Sequence, residues 1–137
     1  MSEHLDRLVR VLIAEDDPAL RLVMTEVIGT VRAFELVAAV ADADEAVAVA
    51  RHALPDVALV DVRMPGGGGL AATRGILQAS AATRVIAFTG HDDDSVVAEM
   101  FEAGIAGYLV KGGTIEEIVA TIRAAADGTL QPRAREL

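Results

Sequence analysis

The chain has 137 residues, a length that allows one domain and little more. A chain of this size buries roughly 68% of its unfolded surface, enough for a core without staples. It has no cysteine, which excludes a disulfide framework and a thiolate metal site and fits a cytoplasmic protein, and its net charge of −9 argues against direct nucleic-acid binding, since a phosphate backbone would be repelled. The segment from Met1 to Arg10 carries Glu3, Asp6 and two arginines with no long apolar stretch, so it does not read as a signal peptide, and no run is long enough to span a membrane.

In chain order, strand one is expected over Leu8–Ala14. Asp17-Pro18 then supplies an N-cap and a first helical residue, and Leu20, Val23, Met24, Val27 and Val31 follow at helical spacing. Phe34–Val40 reads as strand two. Asp42 with Glu45 is a capping box opening helix two, which ends near Leu54-Pro55. Asp56–Val60 is strand three. The loop Arg63-Met64-Pro65-Gly66-Gly67-Gly68-Gly69 leads to helix three, over Leu70–Ala79; four consecutive glycines carry a large unfolded-state entropy and read as a mobile loop without a side-chain cap. Arg84–Phe88 is strand four. Helix four spans Asp93–Glu102, the run His91-Asp92-Asp93-Asp94 capping it and complementing its dipole, and Gly104 ends it. Gly107–Val110 is strand five. Thr114 caps helix five, whose apolar face is Ile115, Ile118, Val119 and Ile122, and Gly128 ends it. This sets a domain at residues 7–128 and a polar tail, or the start of a linker, at 129–137.

Five strand–helix units of this kind give a three-layer doubly wound α/β domain with right-handed crossovers. Strands two, three and four are nearly continuous apolar runs, expected where helices cover both sheet faces. Parallel strands share one carboxyl edge, and ligands of such sheets bind beyond it. The residues that follow the apolar runs are Glu15-Asp16, Asp61, Thr89 and Lys111, so three carboxylates, a hydroxyl and an amine converge there. Two carboxylates about 4 Å apart repel by roughly 4 kcal/mol at an effective dielectric of 20. A divalent cation compensates such a cluster, and hard carboxylate oxygens suit Mg²⁺. A solvated acidic loop edge is the bland alternative for each acid alone.

Four segments make a resemblance specific. Val11-Leu12-Ile13-Ala14-Glu15-Asp16-Asp17-Pro18, Leu59-Val60-Asp61-Val62-Arg63-Met64-Pro65, Ile86-Ala87-Phe88-Thr89-Gly90 and Gly104-Ile105-Ala106-Gly107-Tyr108-Leu109-Val110-Lys111 resemble those of bacterial response-regulator receiver domains over Val9 to Gly128. The pattern is closest to receivers that precede helix-turn-helix output domains, with Gly128-Thr129-Leu130-Gln131-Pro132-Arg133 like their junction. The resemblance implies the flavodoxin-like strand order 2-1-3-4-5. It implies that Asp61 accepts a phosphoryl group from a sensor histidine kinase, with Lys111 neutralising a phosphoryl oxygen. Asp16 and Asp61 would ligate Mg²⁺ by side chains, Arg63 by its backbone carbonyl, and Glu15 through water. Thr89 and Tyr108 resemble the switch pair of the family, and Arg63 and His91 occupy the positions that tune dephosphorylation. The implied partners are the kinase, an output domain or partner protein such as a transcription regulator, and a second copy of the chain.

The chain departs from that pattern at Gly67-Gly68-Gly69, where Met-Asp-Gly is frequent, and at Gly112, where proline often follows the lysine. Gly66-Gly67-Gly68 with Ala71 mimics part of a dinucleotide fingerprint, with Asp92 some twenty residues on; Asp61, Arg63 and Pro65 intervene between strand and glycines, and Asp61 would face the pyrophosphate with like charge. The sequence reads as a signalling switch rather than a turnover enzyme. A small phosphatase or nucleotide-binding protein of similar fold, and a receiver working by protein contact without phosphorylation, are the alternatives.

Overall fold

The computed structural model describes residues 7–90 and 93–130. Five strands and five helices alternate: β1 (Val9–Ala14), α1 (Pro18–Gly29), β2 (Phe34–Val40), α2 (Ala43–Ala53), β3 (Val57–Asp61), α3 (Gly68–Ala79), β4 (Arg84–Thr89), α4 (Asp94–Ala103), β5 (Gly107–Val110) and α5 (Ile115–Asp127). All strand pairs are parallel and the order is β2-β1-β3-β4-β5. This is the doubly wound sheet that the alternation of elements predicts, in the strand order that the resemblance implies.

The side-chain period of two splits the central strands between two cores. Leu12, Ala14, Ala58, Val60, Val85 and Ala87 point to one side and pack with α2, α3 and α4 through Ala46, Ile76, Val97 and Met100. Val11, Ile13, Val57, Leu59, Ile86 and Phe88 point to the other and meet Met24 and Ile28 of α1 and Ile122 of α5. Leu12, Ile13, Leu59 and Ile86 are 0–1% exposed, a burial worth roughly 1.5–3 kcal/mol for each side chain. Seven of the buried residues of the first core are alanines (Ala14, Ala43, Ala46, Ala50, Ala58, Ala72 and Ala87), which lets three helices lie close to the sheet.

Some expectations change. β3 and β4 are buried almost throughout, whereas β2, at the sheet edge, is mostly half-buried and Glu35 is exposed; its apolar composition is not a sign of two covered faces. Val23 and Ile115, placed by spacing on apolar helix faces, are 51% and 55% exposed, and Val31 lies beyond the end of α1. β3 extends to Asp61 itself, and α3 starts at Gly68, two residues ahead of Leu70.

The caps follow the sequence more closely. Asp17 accepts from the Ala19 N–H at 3.0 Å, and Asp42 accepts from the Glu45 N–H at 2.8 Å. Glu45 Oε1 reaches back to the Ala41 N–H rather than completing the box on Asp42. Thr114 and Glu117 close a full capping box at α5. Packing continues two residues past Gly128, because Leu130 lies against Gly107 of β5 and within the second core.

Candidate metal centre

Strand register builds the site. Ala14 pairs with Val60, Asp61 with Phe88 and Thr89 with Val110. Each next residue along the chain therefore steps onto the carboxyl edge beside its neighbour: Glu15 by Asp61, and Lys111 just beyond Thr89. The Lys111 N–H donates to the Thr89 carbonyl at 2.8 Å, and the Val62 N–H to the Phe88 carbonyl at 3.1 Å, which carries the ladder past the strand ends.

Oxygen atoms of Glu15, Asp16 and Asp61 lie within 4.8 Å of one another. Asp61 is 3% exposed and Glu15 1%, while Asp16 is exposed. Lys111 Nζ stands 2.9 Å from Asp61 Oδ1 and 3.5 Å from Glu15 Oε1, and 5.6 Å from the Phe88 ring centroid. The Arg63 N–H donates to Asp61 Oδ1 at 3.3 Å. The Asp17 N–H donates to Glu15 Oε2 at 3.0 Å. Glu15 Oε1 has no hydrogen-bond partner among the described residues.

Burial pushes the Glu15 carboxyl up to about 7; the Asp17 N–H opposes this, the neighbouring Asp61 adds to it, and Lys111 restrains it. Burial pulls the Lys111 ammonium down, but its hydrogen bond and charge contacts with Asp61, and then Glu15, outweigh that and raise it. One ammonium thus meets two carboxylates of a cluster of three, and Glu15 Oε1 stays buried without a hydrogen bond. A hard divalent cation such as Mg²⁺ suits this donor set, with Asp16 and Asp61 presenting carboxylate oxygens.

The second half of the edge is organised by a residue whose role the sequence analysis misses. Asp93, at the N-cap position of α4, makes no side-chain cap bond to its helix. Its Oδ2 instead accepts from the Thr89 hydroxyl at 3.1 Å and the Gly90 N–H at 3.0 Å, and its Oδ1 accepts from Arg63 Nε at 2.8 Å. Burial pushes Asp93 up, yet the Arg63 hydrogen bond, then the Gly90 N–H and the Thr89 hydroxyl, bring it below the usual carboxylate range. The capping part of the reading of this acidic run therefore fails for the Asp93 side chain, while Asp94 lies in the first turn as a dipole complement. Arg21 carries no sequence signal for a site role, yet its guanidinium donates to the Glu15 carbonyl at 2.8 Å and orients the acidic loop from the first turn of α1.

Thr89 is buried at the end of β4. Tyr108 is half-buried, paired in register with Ala87, its ring edge-on to Phe101 at 6.1 Å between centroids. His91 lies outside the described residues, as do Asp92 and residues 131–137. The glycine run is geometric rather than merely flexible: a Cβ on Gly69 would stand 2.8 Å from the Asp61 carbonyl oxygen and 3.0 Å from Val62 Cα. Gly112 has φ of +94°, which the proline expected there cannot adopt. A groove of about 570 Å³ runs along β5 and α5 between Tyr108, Glu117, Thr121 and Leu130; it includes Lys111 but none of the three carboxylates.

Comparison with known proteins adds to this geometry. The chain is 35% identical over 116 residues to the response regulator GacA of Pseudomonas viridiflava, covering 85% of this chain and 54% of that protein. It is 33% identical over 121 residues to the response regulator UvrY of Escherichia coli strain K12, covering 88% and 56%. The chain thus spans about half the length of these curated relatives. Among solved structures it matches a two-component response regulator of the LuxR family from Aurantimonas sp. SI85-9A1, with a TM-score of 0.84 at 32% identity over 94% of this chain and 91% of that one. A DNA-binding response regulator of the LuxR family from Staphylococcus aureus gives a TM-score of 0.80 at 28% identity, covering 87% and 99%. With the response regulator receiver domain model matching residues 11–123 as well, this chain belongs to the receiver domain family of two-component response regulators.

Proposed function

We propose that the domain is a phosphoryl-accepting switch in which Asp61 takes the phosphoryl group from a phosphohistidine of a sensor kinase. The observation that carries this reading is the contact of Lys111 Nζ with Asp61 Oδ1 at 2.9 Å, beside the clustered Glu15 and Asp16. A carboxylate is a weak nucleophile toward a phosphoryl group that is itself negative, so placement and electrostatics supply most of the help. Asp61 forms the new P–O bond as the P–N bond to the histidine breaks and its electron pair returns to the imidazole. Lys111 neutralises charge on a phosphoryl oxygen. Asp16 and Asp61 would hold Mg²⁺ by side chains and Arg63 by its backbone carbonyl, with Glu15 acting on it through water. Mg²⁺, when bound, screens the carboxylate and the incoming oxygens from each other.

The new group adds about −1.5 to −2 charges beside Thr89 and Tyr108, which act as the switch pair. Arg63 and His91 tune the lifetime of the acyl phosphate. The output is a further domain or a partner protein such as a transcription regulator, in line with relatives of which the matched segment fills only 54–56%, and a second copy of the chain is a further partner. Residues 7–128 form the receiver unit, with Leu130 packed back onto it, and the rest of 129–137 begins the connection outward. The domain works in the cytoplasm and is not a turnover enzyme. Among the described residues no helix is long and apolar enough to cross a membrane.

Intact mass after incubation with acetyl phosphate and Mg²⁺ tests the proposal. Wild type gains one phosphoryl mass and Asp61→Asn gains none; equal labelling of the two would assign the acceptor elsewhere.

A further inference from the structure

Asp93 ties three pieces of the sheet edge together. It sits at the start of α4, takes the hydroxyl at the end of β4, and holds the guanidinium of Arg63, whose own N–H is on Asp61 Oδ1. Its carboxylate is 5% exposed and has hydroxyl, amide and guanidinium donors, while Arg63 is mostly exposed and reaches in from the surface. A threonine hydroxyl has one proton. In this arrangement that proton is directed to Asp93 Oδ2 at 3.1 Å and to the Gly90 carbonyl at 2.9 Å.

We infer that Asp93 is a positioning residue that holds the Thr89 hydroxyl in the unphosphorylated domain, with Arg63 locking Asp93 in place, so that a phosphoryl oxygen on Asp61 must take the Thr89 proton from a buried carboxylate. The inference rests on the receiver reading above and adds the group that opposes the switch. The opposition follows from the donor count. Once Thr89 turns to a phosphoryl oxygen, Asp93 keeps only Gly90 and Arg63, and a buried acceptor has lost a partner. A group that binds only the turned form of Thr89 therefore binds against this restraint, and removing the restraint tightens binding by linkage. Asp93 lies at the N-cap of α4, so its rearrangement reaches the first turn of that helix directly.

The test is a titration of the 137-residue chain with beryllofluoride in saturating Mg²⁺, followed by calorimetry, with folding of every variant checked by thermal unfolding. Asp93→Ala should bind about tenfold tighter than wild type, the weight of one hydrogen bond to a charged group. Asp93→Asn keeps the shape and an acceptor oxygen, so it tightens binding in the same direction by less and serves if the alanine variant does not fold. In a Thr89→Val background the Asp93 substitutions should leave affinity unchanged, which a merely structural role for Asp93 would not produce. Unchanged or weaker binding by folded Asp93→Asn overturns the inference. So does an equal gain in the Thr89→Val background, which would assign the effect to the freed Arg63. A folded wild type that binds no beryllofluoride would instead remove the receiver reading itself.

Discussion

Glu15 and Asp93 are two carboxylates buried to nearly the same degree, 1% and 5% exposed, on the same edge of one sheet. Their acidities move in opposite directions, Glu15 up to about 7 and Asp93 below 3.8. Depth is shared, so partners decide. Glu15 has one backbone donor, one unbonded oxygen and two carboxylates for company, with Lys111 at 3.5 Å. Asp93 has a guanidinium, an amide and a hydroxyl. Glu15 belongs to a site where one ammonium serves three clustered carboxylates, and Asp93 to one where every donor is in place. The comparison assigns the first half of the edge to cation and phosphoryl chemistry, and the second half to restraint of the residues that respond.

The largest expected effect separates the two acids by pH. A raised Glu15 costs stability where the unfolded chain has lost this proton and the folded one keeps it. Stability of the metal-free domain should therefore be highest near pH 4.5, fall as pH rises to about 7, and then level off. Asp93 has the opposite sign: its contribution is complete above 3.8 and lost as pH falls through its lower folded value. The Lys111 contribution is present below 10.5 and lost as pH rises through its raised value. Between pH 5 and 8 the Glu15 effect remains. Urea unfolding in a chelator should find wild type less stable at pH 8 than at pH 5 by on the order of 2–3 kcal/mol, with Glu15→Gln flat over that interval. A wild type with no such fall would place Glu15 among fully compensated acids like Asp93.

A smaller effect follows from adding positive charge to that cluster. Mg²⁺ at ten times its dissociation constant should raise stability by about 1.4 kcal/mol through mass action alone. Asp16→Ala should lose most of that gain while unfolding normally without metal, since Asp16 is exposed. Equal stabilisation of wild type and variant at one Mg²⁺ concentration would move the cation elsewhere. The smallest effect is on the satisfied half. Arg63→Ala removes a guanidinium whose side chain is 72% exposed, so its ion pair with Asp93 is screened and its loss should cost about 1 kcal/mol at neutral pH. The deficit should shrink as pH falls below 4, because the partner carboxylate protonates; a deficit independent of pH would mean that Arg63 acts by packing.

Much of this molecule is written locally. Periodicity marks β1 and β3 to β5, Asp17, Asp42 and Thr114 mark three helix starts, and Gly104 and Gly128 mark two ends, because caps and apolar repeats act within a few residues. The site was legible for a related reason. In a parallel sheet every strand ends on the same side, so Glu15, Asp16, Asp61, Thr89 and Lys111 announce a shared edge by following their apolar runs. Tertiary structure decided what depends on distant neighbours. Phe34–Val40 reads as apolar, yet as the edge strand β2 it stays half-buried, since composition does not say which strand lacks a second neighbour. The run His91-Asp92-Asp93-Asp94 does not say which acid turns back, because the choice depends on Arg63 arriving from a loop thirty residues earlier. Glu15 and Asp16 are adjacent and chemically alike; only the closing of β1 against β3 buries one and leaves the other in water, and that difference in solvation sets how each can serve a cation.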